Sequence, residues 1–239
     1  MSAKRILLLT SSARDLDPYI DACDKLALAP VIGAPMGVRL PPLLRESALE
    51  LDFSTRDSVL KIVTETQDDP VAAIIPINEM PTPIAARAAS MLGLAGPTPK
   101  AADACIDHDE LHRVLADAGV AASTSQHSQV LAVLVNERKL RVCVSTVGSI
   151  KQAVTTPAEP VTEVLSTAFR ALDVKHGPAH VEVAAERDSW AIVSISLAAS
   201  HPFTEQVRFK IPLVDDDISW PEAVIRNALG LDLSRLHTR

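Results

Sequence analysis

The sequence predicts an open α/β domain followed by a smaller α+β lobe, and two observations carry that prediction. Over roughly the first hundred residues, short unbroken apolar runs alternate with segments of helical periodicity, the pattern of a parallel sheet whose strands are buried on both faces. Beyond the polar stretch Ser123–Ser128 the apolar runs come in adjacent pairs joined by short polar turns, the pattern of antiparallel hairpins.

Arg5–Thr10 is an apolar run closed by Ser11 and Ser12, which fits a buried first strand. Asp15–Leu28 then sets Ile20, Cys23, Leu26 and Ala27 on one side of a helix, and Pro30–Pro35 reads as the next strand, a β-α-β beginning. Asp57–Gln67 is amphipathic through Val59, Leu60, Ile62 and Val63, and Val71–Ile77 is a further buried strand. Thr82–Leu92 is an alanine-rich helix stopped by Gly93, since glycine accepts the left-handed backbone that ends a helix. Two shorter helices follow, Pro99–Cys105 and Asp107–Ala118, the second ending at Gly119. Val130–Val135 and Leu140–Val147, joined by Asn136–Lys139, form a predicted hairpin. Pro160–Leu172 reads as a helix, Ala179–Ala185 and Trp190–Leu197 as a second antiparallel pair turning at Arg187 and Asp188, and Trp220–Leu229 as a final helix. The seam falls near Gly119–Ser128, and no internal repeat is visible.

A chain of 239 residues is long enough to bury a full core. With 47% hydrophobic but only 3% aromatic residues, that core is built from small aliphatics. A net charge of −7 argues against nucleic acid as a partner, because a sequence-independent phosphate surface needs clustered Lys and Arg. Cys23, Cys105 and Cys143 are odd in number and widely spaced, which suits buried thiols in a reducing compartment rather than disulfides or a zinc cluster. Lys4 and Arg5 precede only the short run Ile6–Leu9, too brief for a signal-peptide core or a membrane span. These features lead to the expectation of a cytoplasmic protein without membrane attachment. No G-x-S-x-G, Walker A or dinucleotide glycine pattern occurs among the 8 glycines.

Four segments, taken in order, carry a family resemblance: Ala72–Ile77 followed by Asn78 and Glu79, Ala85–Pro97, Ala101–Val120, and Leu172–Val183. Together they resemble the ATP-grasp carboxylate–amine ligases, on the biotin-carboxylase-like and amino-acid-ligase branch. Those proteins run through a strand with an acidic residue, a helix ending in a GLxGP turn, an Asp-Lys helix and a Gly-Pro-x-His-x-Glu strand. Ala101–Val120 leads almost directly into Gln129–Val135, where the family inserts its nucleotide-gripping lid. The resemblance thus implies a pre-ATP-grasp α/β domain over 1–97, connecting helices over 98–122, and an α+β remnant of the ATP-grasp C-terminal lobe over 123–239, with the lid absent.

The resemblance also assigns candidate residues. Asn78 and Glu79 sit at the carboxyl edge of a parallel strand, where open α/β folds place ligands; the bland alternative is a pair capping the next helix. His108 occupies the position of the family's ATP lysine, and an imidazole is shorter than an ammonium and largely neutral at pH 7, so the phosphate grip is expected to be vestigial. Arg113 matches an arginine common in the family and is equally readable as a surface charge. His108 and His112, four residues apart, invite a zinc reading, but Asp109 replaces the usual glutamate and no third ligand is signposted, so no metal is expected there. His180 and Glu182 project from one face of a strand, and the matching glutamate holds magnesium in the family. The Glu-x-Asn-x-Arg expected on the following strand is replaced by Ser194–Ala198, where a hydroxyl is a weak ligand for a hard cation. Ser11–Ala13 as an anion cradle and Val214–Ile218 as a cation loop read more simply as turns.

The leading expectation is a degenerate ATP-grasp-like protein that no longer ligates and serves as a binding or partner module, with a biosynthetic pathway as its expected setting. Two alternatives stay open: ATP-independent chemistry in the same cleft, with His180 and Glu182 as its catalytic pair, and a ligase completed by a partner chain. No cofactor is expected; ATP and magnesium would enter only with the ligase. The expected partners are a second copy in a homodimer, a small-molecule ligand or a heterologous protein.

Overall fold

The computed structural model describes residues 3–125, 128–137, 139–145, 159–186, 189–202, 204, 207–210, 217–231, 233 and 237–238. The expected turn at Arg187 and Asp188, residue Arg138 and the first three residues of Val214–Ile218 lie outside them.

The first sheet is parallel and runs β3-β2-β1-β4, from β1 (Arg5–Leu9), β2 (Ala29–Ala34), β3 (Leu49–Glu50) and β4 (Val71–Pro76). β1 lies between β2 and β4 and is apolar at every inner position because both its faces are covered. Leu7 and Leu9 pack toward α3 (Asp57–Glu65) and α4 (Thr82–Met91). Ile6 and Leu8 pack toward α1 (Asp17–Lys25) and a late helix, α8 (Trp220–Ala228). Gly33 allows close packing across this sheet, for a Cβ there would meet Leu9 Cδ2 at 2.5 Å and Leu51 Cδ1 at 2.7 Å. The two-residue edge strand β3 and the short helix α2 (Pro42–Arg45) were not anticipated, being too short to carry a periodicity.

α5 (Pro99–Ile106) and α6 (His108–Asp117) close this half. Asp107 caps α6, its carboxylate accepting from the backbone N–H groups of Asp109 and Glu110. The helix ends where Gly119 takes φ +73° and the N–H of Val120 reaches back to the Leu115 carbonyl at 2.9 Å.

The second sheet is antiparallel, ordered β6-β5-β7-β8, from β5 (Gln129–Asn136), β6 (Lys139–Ser145), β7 (His176–Glu186) and β8 (Ser189–Ser196). One face, with Leu131, Val133, Val181 and Ile195, packs against α5, α6 and α7 (Glu159–Ala171). From the other face Val130, Ala132 and Leu134 join the core around α8. A small third sheet, β10-β9-β11, built from β9 (Arg208–Lys210), β10 (Asp217–Ser219) and β11 (His237–Thr238), escaped the sequence reading because its strands are only two or three residues long.

The lobes are joined by backbone as well as by side chains. After β8 the N–H groups of Ala199 and Ser200 donate to the carbonyls of Pro76 and Ile77, both at 2.8 Å, extending the edge of the first sheet. The Ala199 carbonyl accepts from Tyr19 Oη at 2.6 Å and from Trp220 Nε1 at 2.7 Å. Two aromatic polar groups buried by the seam are thereby satisfied.

Candidate functional site

Between the lobes lies a cavity of about 520 Å³. Its walls come from the β4–α4 turn through Glu79, Met80 and Thr82, from the α5–α6 junction through Cys105, Ile106 and His108, and from β7 and β8 through Glu182 and Val193–Leu197. Among the described residues no Lys or Arg lines it.

Asn78 is absorbed into the scaffold. Its Oδ1 accepts from the backbone N–H and the hydroxyl of Ser11, both at 2.9 Å, and its Nδ2 donates to Thr10 Oγ1 at 3.1 Å. It therefore ties together the carboxyl ends of β1 and β4, and it is not a helix cap, since α4 starts without a side-chain cap. The Ser11 N–H considered for an anion cradle is taken by the same bond. Glu79, one residue on, is exposed and faces the cavity.

Glu182 is half-buried and accepts from Ser194 Oγ at 3.0 Å. In the strand register Ser194 stands opposite Glu182 and Ser196 opposite His180. His180 is 3% exposed, its ring centroid 5.1 Å from His201 and 5.7 Å from Trp220. It does not line the cavity. Burial, reinforced by the charge of His201, pushes its pKa down to about 3, so the imidazole is neutral near pH 7.

His201 is a residue that the sequence reading missed. Burial lowers its pKa, while the carboxylates of Glu182 and Glu79 oppose that shift, so all three groups share one local field. No motif in the sequence marks it: it is the crossing of the chain at Ala199 and Ser200, bonded to Pro76 and Ile77, that brings the following residue, His201, past the carboxyl end of β4.

The two histidines of α6 part company. His108 faces the cavity, whereas His112 Nε2 lies 3.3 Å from the Val193 carbonyl, the rings meeting edge-on at 6.2 Å. Among the described residues no group of three or more His, Cys, Asp or Glu converges on a metal-sized site. Arg113 pairs with Glu110 at 2.6 Å and Asp117 at 3.0 Å along the exposed side of α6 and does not line the cavity. Cys105 does line it, its thiol pushed up to about 12 by burial, so it is no thiolate nucleophile near pH 7.

No protein-family model and no curated protein matches the sequence. The structure, by contrast, has solved counterparts at low identity. They include an L-amino acid ligase from Bacillus licheniformis (TM-score 0.75, 14% identity, covering 98% of this chain and 76% of that one). A phosphoribosylglycinamide synthetase from Anaerococcus prevotii gives a TM-score of 0.75 at 11% identity over 99% of this chain and 78% of its own. An N5-carboxyaminoimidazole ribonucleotide synthetase from Thermus thermophilus gives 0.66 at 13% over 98% and 81%. The chain therefore has the ATP-grasp ligase fold that the sequence resemblance implied, in a form shorter than these neighbours. Among the described residues no helix is long and apolar enough to cross a membrane.

Proposed function

We propose that this chain is a small-molecule binding protein that uses the cleft between its lobes and has given up ATP-driven ligation. The observation that carries the reading is the charge of the cleft: Glu79 and Glu182 line it with His108 and two serines, and no Lys or Arg does among the described residues. A nucleoside triphosphate presents a concentrated negative charge that proteins meet with Lys, Arg and metal-bound carboxylate pairs. Here the residue opposite Glu182 is the neutral Ser194, and the buried Ala198 follows. The polyphosphate would face two carboxylates with little to offset them.

The same lining suits the opposite charge. An ammonium group gains charge-assisted hydrogen bonds from such carboxylates, and Met80 and Ile106, 61% and 52% exposed beside them, offer apolar cover for the rest of the ligand. The class that fits is a primary amine with an apolar body. Titration calorimetry of the purified chain decides the matter. Saturable binding of n-hexylammonium with no heat from ATP–Mg at millimolar concentration is the expected result; micromolar affinity for ATP–Mg refutes the reading and revives the ligase.

A second reading, chemistry without ATP beside the same cleft, is favoured by one observation: the half-buried His201 does not itself line the cavity but feels the charges of Glu79 and Glu182, which do. In that reading His201 is the acid–base group and the neutral, covered His180 packs behind it.

A further inference from the structure

The register of β8 contains a break. Glu182 pairs with Ser194, but the next residue, Val183, pairs with Ile192, so Val193 is the extra residue of a bulge. Ile192 and Ile195 both lie in the core between the second sheet and its helices, although they are three residues apart. A strict period of two cannot put both on one face; the bulge does. Continued without it, the pairing of Val183 with Ile192 would set Val193 opposite Glu182, Ser194 opposite Val181 and Ile195 opposite His180. The bulge is thus what turns Ser194 and Ser196 onto the cleft face.

β8 is an edge strand, so the outward polar groups of its backbone need partners from outside the sheet. At Ile192 they have them, the N–H donating to Ala121 O and the carbonyl accepting from the Ser123 N–H, both at 2.9 Å. At Val193, the bulged residue itself, the carbonyl meets His112 Nε2 at 3.3 Å. A carbonyl only accepts, so this contact places the ring proton on Nε2.

We propose that His112 is a positioning residue, its ring N–H holding the β8 bulge that presents Ser194 to Glu182 in the cleft. The consequence for ligand binding rests on the reading of the cleft given above; the structural consequence does not. The spacing of His108 and His112 acquires a meaning other than zinc, one ring forming the cavity wall and the other fixing the strand behind it.

The test is amide hydrogen exchange on the full chain, comparing wild type with His112→Ala, His112→Gln and, as a control for general loosening of α6, Arg113→Ala. In His112→Ala the 190–196 segment exchanges roughly fivefold to tenfold faster, while Leu131–Val135 in β5, two strands away from β8, keeps its protection. His112→Gln, which retains an N–H donor, recovers most of the difference, and Arg113→Ala shows none of it. Unchanged exchange in 190–196, or an equal rise throughout β5, overturns the proposal. If His112→Ala does not fold, the Gln variant decides by the same comparison, with wild-type-like protection as the supporting result and full loss in 190–196 as the refuting one. The n-hexylammonium titration repeated on His112→Gln and wild type then reports on the cleft. Its failure with wild-type protein would strike the ligand reading alone, since exchange needs no ligand.

Discussion

His180 makes a prediction whose size follows from its surroundings. The ring is enclosed by His201, Trp220, the Ala198 backbone and, across the strands, Ser196, with Glu182 two residues along. Its pKa falls from 6.5 to about 3 on folding. Between those values the unfolded chain carries a proton that the folded chain refuses, so stability is fully present above pH 6.5 and is lost as the pH falls toward 3. One proton of difference is worth about 1.4 kcal/mol per pH unit, or about 2.7 kcal/mol over two units. That is a large share of the roughly 5–15 kcal/mol by which a domain is stable. His201, also lowered, adds to the trend in the same direction. Urea unfolding at a series of pH values from about 7 to about 5, for wild type and His180→Gln, separates the two contributions. The variant should lose up to about one proton from the pH slope of stability and should cross wild type as the medium acidifies. Parallel slopes would refute the claim that burial holds this imidazole neutral, and would return His180 to consideration as a proton donor.

Two further outcomes test the cleft and the assembly. Glu182→Gln keeps an oxygen that can accept from Ser194, so thermal melts should shift by no more than about 1 kcal/mol equivalent, while n-hexylammonium affinity falls at least about tenfold on loss of the charge; lowered melting with unchanged affinity would make Glu182 structural. The homodimer expected for a chain without its lid should appear in light scattering at low micromolar concentration. We propose the region around edge strand β3 as its contact, because Met36 and Leu43 are 81% and 93% exposed there; Leu43→Asp should then yield monomer, and a wild-type chain that is already monomeric argues for a heterologous partner.

The fold was largely legible because its long elements have unambiguous periods. Ile6–Leu9 has no polar residue and is buried on both faces, and the hairpin partners of β5 and β7 were readable from apolar runs with polar turns. Function was less legible, since it depends on phase and proximity rather than on period. The spacing of Ile192 and Ile195 encodes the bulge, but one displaced isoleucine means little until the neighbouring strand is known. Asn78 reads in the sequence as a ligand residue or a cap; its bonds between the ends of two strands become visible only with Thr10 and Ser11 beside it. His201 lies beyond any motif, and only the crossing of the chain from β8 to the edge of β4 sets it in the field of Glu79 and Glu182.

That crossing also bears on what kind of binding the cleft can support. In an enzyme that closes a lid, affinity and exclusion of water come from a moving element. Here the walls on either side of the cavity are fixed to each other by the Ala199 and Ser200 bonds to β4 and by the two aromatic donors on the Ala199 carbonyl. Such walls are pre-organised, so a ligand spends little binding energy ordering them. Glu79, Met80 and Ile106 of the lining remain exposed to water, which would weaken an ion pair formed there through screening. In the proposed binding reading, recognition then comes from the two carboxylates and the apolar wall rather than from enclosure. Under that reading the ligand needs no gating step to enter or leave, and the cleft as built would do little to protect an acyl phosphate from hydrolysis.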